Sequence, residues 1–151
     1  MKLPLLFFCL LLQGSIPGFA QNQQADSLRN LLARQKDAGK RAELHLQLAE
    51  AFVLAEKYDS ATVHFEHALT GFEQTKNKAK EAQVLGRLAI NIKLRNQHER
   101  AMQLDFKALS IWDSLGDQRG VMRSYCNLGL DFYYKSDYKT GVEYSEKAIA
   151  G

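Results

Sequence analysis

His64, Glu66 and His67 place two imidazoles and a carboxylate within one helical turn, a spacing that lets two ring nitrogens face one cation. A zinc site needs three or four ligands in closed geometry. This stretch supplies two histidines on what the helical pattern makes an outer face, so they read as surface side chains and no metal is expected. Cys126 is the other reactive type. With Cys9 inside a leader segment, Cys126 stands alone, and neither an internal disulfide nor a CxxC metal pair can form. It falls on a helix with Tyr125 and Leu128, with no base placed beside it to generate a thiolate, and reads as a small, semi-buried side chain. No HExxH, GxSxG, phosphate-binding loop or dinucleotide fingerprint occurs. The carboxylates are scattered along helical stretches, and the glycines fit turns, the leader or close packing. The sequence therefore points to a non-catalytic segment with no cofactor.

What positions any site in this chain is a repeat. Leu48, Leu88 and Leu128 recur at a spacing of forty, as do Ala49, Ala89 and Gly129, and then Phe52, Ile92 and Phe132. Ala61, Ala101 and Gly141 follow in the same register, with Ala68, Ala108 and Ala148, and Leu69, Leu109 and Ile149. No gap is needed, and an internal period between 20 and 50 residues signals stacked supersecondary units. Asp37, Asn77 and Asp117 each precede a long helical pattern and supply a side-chain acceptor for its first free N–H groups. First helices are predicted over 40–56, 79–95 and 119–135, and second helices over 59–75, 99–115 and from 138 onward. Tight turns at Glu56-Lys57-Tyr58, Asn96-Gln97-His98 and Ser136-Asp137-Tyr138 join them. Small residues at the facing positions let two antiparallel helices approach while Leu48 and Phe52 fill the gaps. Leu69, Phe72, Leu109 and Trp112 are expected to form the core between successive pairs. A short helix over 25–38, capped by Asp26 or Ser27 and carrying Leu28, Leu31 and Leu32, closes the first pair as an atypical terminal unit. Gly141, Val142, Ala148 and Ile149 are expected to leave an uncovered apolar face at the other end.

The predicted organisation is thus a leader over 1–20, the capping helix over 25–38, and repeats over 39–78, 79–118 and 119–151. The fold class is all-α, an α-solenoid of antiparallel helix pairs. Lys2, the apolar run Leu5 to Leu12, and the small residues Gly18 and Ala20 have the layout of a secretory signal cleaved after Ala20. That run is too short to span a bilayer, and no membrane span is expected within 21–151. The protein is accordingly expected to be secreted or periplasmic. Of 151 residues, 46% are hydrophobic and 25% charged. The formal charge of +3 becomes +2 without Lys2, and its signs alternate along the helices. A nucleic-acid binder concentrates basic residues in a stripe, so none is expected as a partner.

Leu128-Gly129, Phe132, Tyr138 and Ala148-Ile149, with the parallel set Leu48-Ala49, Phe52, Tyr58, Ala61, Phe65 and Ala68-Leu69, resemble the tetratricopeptide repeat over about residues 41–150. The period is forty where that family usually has 34, and the middle copy is degenerate, with Leu85 opposite Tyr125, His98 for the turn tyrosine and Asp105 opposite Phe65. The resemblance implies a right-handed solenoid whose first helices line a concave groove for a protein or peptide ligand. It places Gln47, Glu50 and Val53, then Arg87, Ile90 and Lys93, then Arg123, Asn127, Leu130 and Tyr133 on that face. Some relatives grip a terminal carboxylate with Lys and Asn. Leu46 and Glu50 occupy the corresponding places here, so that clamp is not reproduced, while Arg87, Arg123 and Asn127 form a polar strip suited to carboxylates or backbone carbonyls. Two functional readings follow. One is a peptide-binding scaffold acting outside the cytoplasm; the other is the extracytoplasmic sensory segment of a longer histidine kinase or transcriptional regulator, with a membrane-anchored continuation. An RNA-reading helical repeat shares the architecture, but the leader and balanced charge oppose it.

Overall fold

The structure, a computed structural model, describes residues 17–150, with side chains from residue 23 onward. The leader assigned to 1–20 lies outside the described residues up to residue 16. Seven helices follow in order: α1 (Pro17–Arg34), α2 (Ala38–Leu54), α3 (Tyr58–Gln74), α4 (Lys78–Lys93), α5 (His98–Ser114), α6 (Gln118–Tyr134) and α7 (Tyr138–Ala150). The terminal helix differs from its expected bounds of 25–38. It begins at Pro17 and runs unbroken through Asp26 and Ser27, with Asp26 bonded to Arg29 one turn on. It stops at Arg34 because Asp37 caps the next helix.

The three expected first-helix caps form as read. Asp37 accepts from the N–H of Lys40, Asn77 from that of Lys80 and Asp117 from that of Gly120. The helix ends obey a finer rule. Glu56, Lys76, Asn96, Gly116 and Ser136 have φ between 56° and 66°, a left-handed residue every twenty positions. After each, the next N–H reaches back to the carbonyl of Phe52, Phe72, Ile92, Trp112 or Phe132, the pattern that satisfies the last carbonyls of a helix. Only one of these five residues is glycine. The forty-residue period is therefore twice a twenty-residue unit of one helix and one short turn, and the added length lies in helices of 16–17 residues.

Each helix packs against its predecessor and successor in the chain, with one lighter contact between α4 and α6. That is a linear stack, not a closed bundle. Leu48, Leu88 and Leu128 are all buried, as are the small residues Ala49, Ala89, Ala61, Ala101, Ala68 and Ala108. Phe72 and Trp112 join the core between pairs, and Leu69 and Leu109 are half-buried against it. In the third pair the helices approach closely: a Cβ on Gly129 would lie 2.7 Å from Ser145 Oγ and 3.1 Å from the Gly141 carbonyl. Gly120 lies beneath the Trp112 indole, which leaves no room for a side chain. At the far end Gly141 and Ala148 are buried within the pair, while Val142 and Ile149 are exposed, Ile149 at 85%.

Candidate functional site

The contact between α4 and α6, without a counterpart of that strength between α5 and α7, puts the first helices on the inner side of the stack. Three adjoining cavities open along that side. One, about 270 Å³, lies between α2 and α4 and is lined by Glu50, Val53, Leu54, Arg87, Ile90 and Asn91, with Phe65 at its base. The next, about 200 Å³, brings Arg87, Arg123 and Asn127 together around Gln83, Gly86 and Ile90, with Ala108 and Trp112 as floor. A third, about 460 Å³, is walled by Ile90, Lys93, Leu94, Asn127, Leu130 and Tyr134. Ile90 borders all three.

Much of this face is apolar and exposed. Ile90 is 43% exposed, and Leu54, Leu94, Leu130 and Tyr134, which line the outer two cavities with it, are exposed as well; Tyr133 is exposed but lines none of the three cavities. Polar groups flank it. Gln47, Arg87 and Arg123 are exposed, and Glu50 is half-buried. The Arg87 guanidinium stands 3.7 Å from Glu50, both partly in water, a pair of small net value. Gly86 proves not to be a packing glycine, since a Cβ there would meet only the Asn127 amide, at 3.9 Å. Its missing side chain keeps the middle cavity open.

Two groove candidates sit differently from their sequence placement. The Lys93 side chain, expected to offer its ammonium to the face, is only 8% exposed and turns inward. Its Nζ lies 2.8 Å from Asp105 Oδ2 and 2.9 Å from Asp131 Oδ1, and donates to the Asn127 carbonyl at 3.2 Å. Asn127 is committed too, donating its side-chain amide to Asp105 Oδ1 at 2.8 Å. Asp105 and Asp131 are both fully buried. Burial raises the Asp105 carboxyl above its ordinary value, against the pull of Lys93. It raises Asp131 to about 6, where Lys93 opposes the rise and the neighbouring Asp105 charge adds to it. Sequence reading noted Asp105 opposite Phe65 but missed Asp131. The signal was the same register, which sets Lys93 against Val53 and Asp131 against Ala51 and Asn91.

Away from the groove, the histidines are not the isolated surface pair expected. His64 is half-buried, and His45 from α2 joins it with Nδ1 to Nδ1 at 2.9 Å. His67 lies with its ring centroid 4.8 Å from that of His45. Among the described residues no group of three or more such side chains is arranged to hold a metal. Burial, then the neighbouring histidines, lowers His45 to about 4, and burial and His67 lower His64. Both rings are therefore neutral at neutral pH and share one hydrogen bond. Cys126, expected to be semi-buried, is exposed.

No protein-family profile matches the sequence, and no curated protein matches it. Solved structures do resemble the fold. BtubC (BKLC) from P. vanneervenii superposes with a TM-score of 0.79 at 23% identity, over 87% of this chain and 55% of that one. The apo form of RapI gives 0.80 at 16% identity, over 87% of this chain and 38% of that one. The TPR domain of Arabidopsis FLU gives 0.71 at 16% identity, over 75% of this chain and 95% of that one. The chain thus spans about half or less of the first two. With helix pairing and stacking order shared across these arrays, the chain has a tetratricopeptide-like helical-repeat fold.

Proposed function

We propose that this segment is a non-catalytic scaffold that binds a protein or peptide along the face made by α2, α4 and α6, and that it acts outside the cytoplasm. The observation carrying the first part is the run of three cavities joined at Ile90, rimmed by Arg87 and Arg123. An extended or helical peptide fits such a face by setting apolar side chains against Leu54, Ile90 and Leu130. Arg87 and Arg123 then donate to its carboxylates or carbonyls. The extracytoplasmic part rests on the layout of residues 1–20 and is tested by the mature N-terminus after export. The sensory-segment reading is tested by the gene downstream: a long apolar span followed by kinase or DNA-binding motifs supports it.

The binding experiment is affinity capture from an envelope extract with the wild-type chain, with Arg87→Glu/Arg123→Glu, and with Ile90→Asp. All three lie on exposed helix faces, so melting temperatures should agree. Capture lost in both variants at unchanged stability supports the groove. Capture unchanged in both overturns it.

A further inference from the structure

The junction beneath the third cavity has an unbalanced charge count. Lys93 from α4 brings one positive charge; Asp105 from α5 and Asp131 from α6 bring two negative ones, all three shielded from water. Asn127 satisfies Asp105 Oδ1, but Asp131 Oδ2 has no hydrogen-bond partner among the described residues. His98 at the start of α5 lines the same cavity, stacked on Tyr134 with Nδ1 buried and unpartnered. At the corresponding α2–α3–α4 junction, forty residues earlier, the same places hold Val53, Phe65 and the buried, uncharged Asn91, so the repeat itself does not demand charge here. A buried charge lacking compensation costs several kcal/mol. The simplest compensation is a proton from solvent.

We propose that the Lys93–Asp105–Asp131 cluster takes up one proton on mild acidification and thereby fastens the α4–α5–α6 junction that floors the groove. The proton cancels the excess negative charge, leaves Lys93 and Asp105 as a one-to-one pair, and makes Asp131 a donor toward the carboxylate beside it. Burial and the neighbouring Asp105 charge, which hold the Asp131 carboxyl above its ordinary value against the pull of Lys93, agree with this. Because Lys93 and Asn127 also wall the cavity under Ile90 and Leu130, a ligand would meet a firmer floor in acid than at neutral pH. That last consequence rests on the groove being the binding face.

The test uses the unliganded chain. Carboxyl carbon NMR follows Asp105 and Asp131 from pH 3 to 8, and amide exchange of α5 and α6, corrected for the intrinsic pH dependence of exchange, reports opening of the junction. The expected result is a carboxyl step near pH 6 and local opening about tenfold rarer at pH 5 than at pH 7.5, the factor that a carboxyl moved from about 4 to about 6 implies. Asp131→Asn should remove the step and make opening independent of pH. Both carboxyls titrating below pH 4.5, or unchanged pH dependence in Asp131→Asn, overturns the proposal. If that variant does not fold, the wild-type titration alone decides. Proton uptake without any groove capture sinks the groove and spares the cluster, and capture without uptake does the reverse.

Discussion

Acidification should loosen the first helix pair, and the structure sets the size of the effect. His45 and His64 share one hydrogen bond between neutral rings, His64 stacks on Phe52 at 5.3 Å, and Arg29 of α1 lies over Phe52. A proton on the accepting Nδ1 ends the donor–acceptor match, and a proton on either ring sets a cation beside Arg29, Arg41 and the remaining histidines. His45 is lowered from 6.5 to about 4, which at 1.36 kcal/mol per pH unit gives at most about 3.4 kcal/mol. The ring is only half-buried, so solvent screening brings this to about 1–2 kcal/mol. The folded value lies below the unfolded one, so this stability is fully present above pH 6.5 and is lost as pH falls toward 4. For a chain of this size the loss is a fall of about 3–8 °C in melting temperature. The buried acid cluster acts in the opposite sense, its raised value adding stability as pH falls from 6 toward 4. The assay is therefore a comparison of melting temperatures at pH 7.5 and 4.5 in wild type and in His45→Gln/His64→Gln. The variant should lose less on acidification than wild type by that margin. An identical pH dependence in the two would refute the reasoning.

Three further outcomes are expected. Trp112→Ala should cost about 3–4 kcal/mol in urea unfolding, because the indole fills the space over Gly120 between pairs, and Leu88→Ala about 3 kcal/mol; changes within error for both would remove the assigned core. Lys76→Gly should raise stability slightly, by about 0.5 kcal/mol, since φ is 56° there and glycine adopts that conformation freely. Gly129→Val should lower melting sharply despite the better helix former, through its clash with Ser145 and the Gly141 carbonyl.

The forty-residue spacing made the helix pairs, their order, the first-helix caps and the small-against-large core legible, because each repeats a local requirement in register. The twenty-residue rule of left-handed turns was hidden, since Glu56, Lys76, Asn96 and Ser136 are not the glycine such positions favour. The terminal helix was misbounded because Asp26 and Ser27 are as typical of a cap as of a helix surface, and only the unbroken ladder decides. Groove positions were assignable to a helix face, but not side-chain direction. Lys93 sits at a groove position yet turns inward because Asp105 and Asp131, from two other helices, outcompete water for it. His45 joined His64 for a similar reason: nineteen residues apart, they meet only once α2 and α3 pair.

Site-specific photo-cross-linking puts the central claim to its most direct trial. A photoreactive residue at position 90, on the inner face, should yield an adduct with a protein partner in an envelope extract, while one at position 107, exposed on α5, should yield none. Adducts from position 107 with none from position 90 would contradict the groove as the binding face.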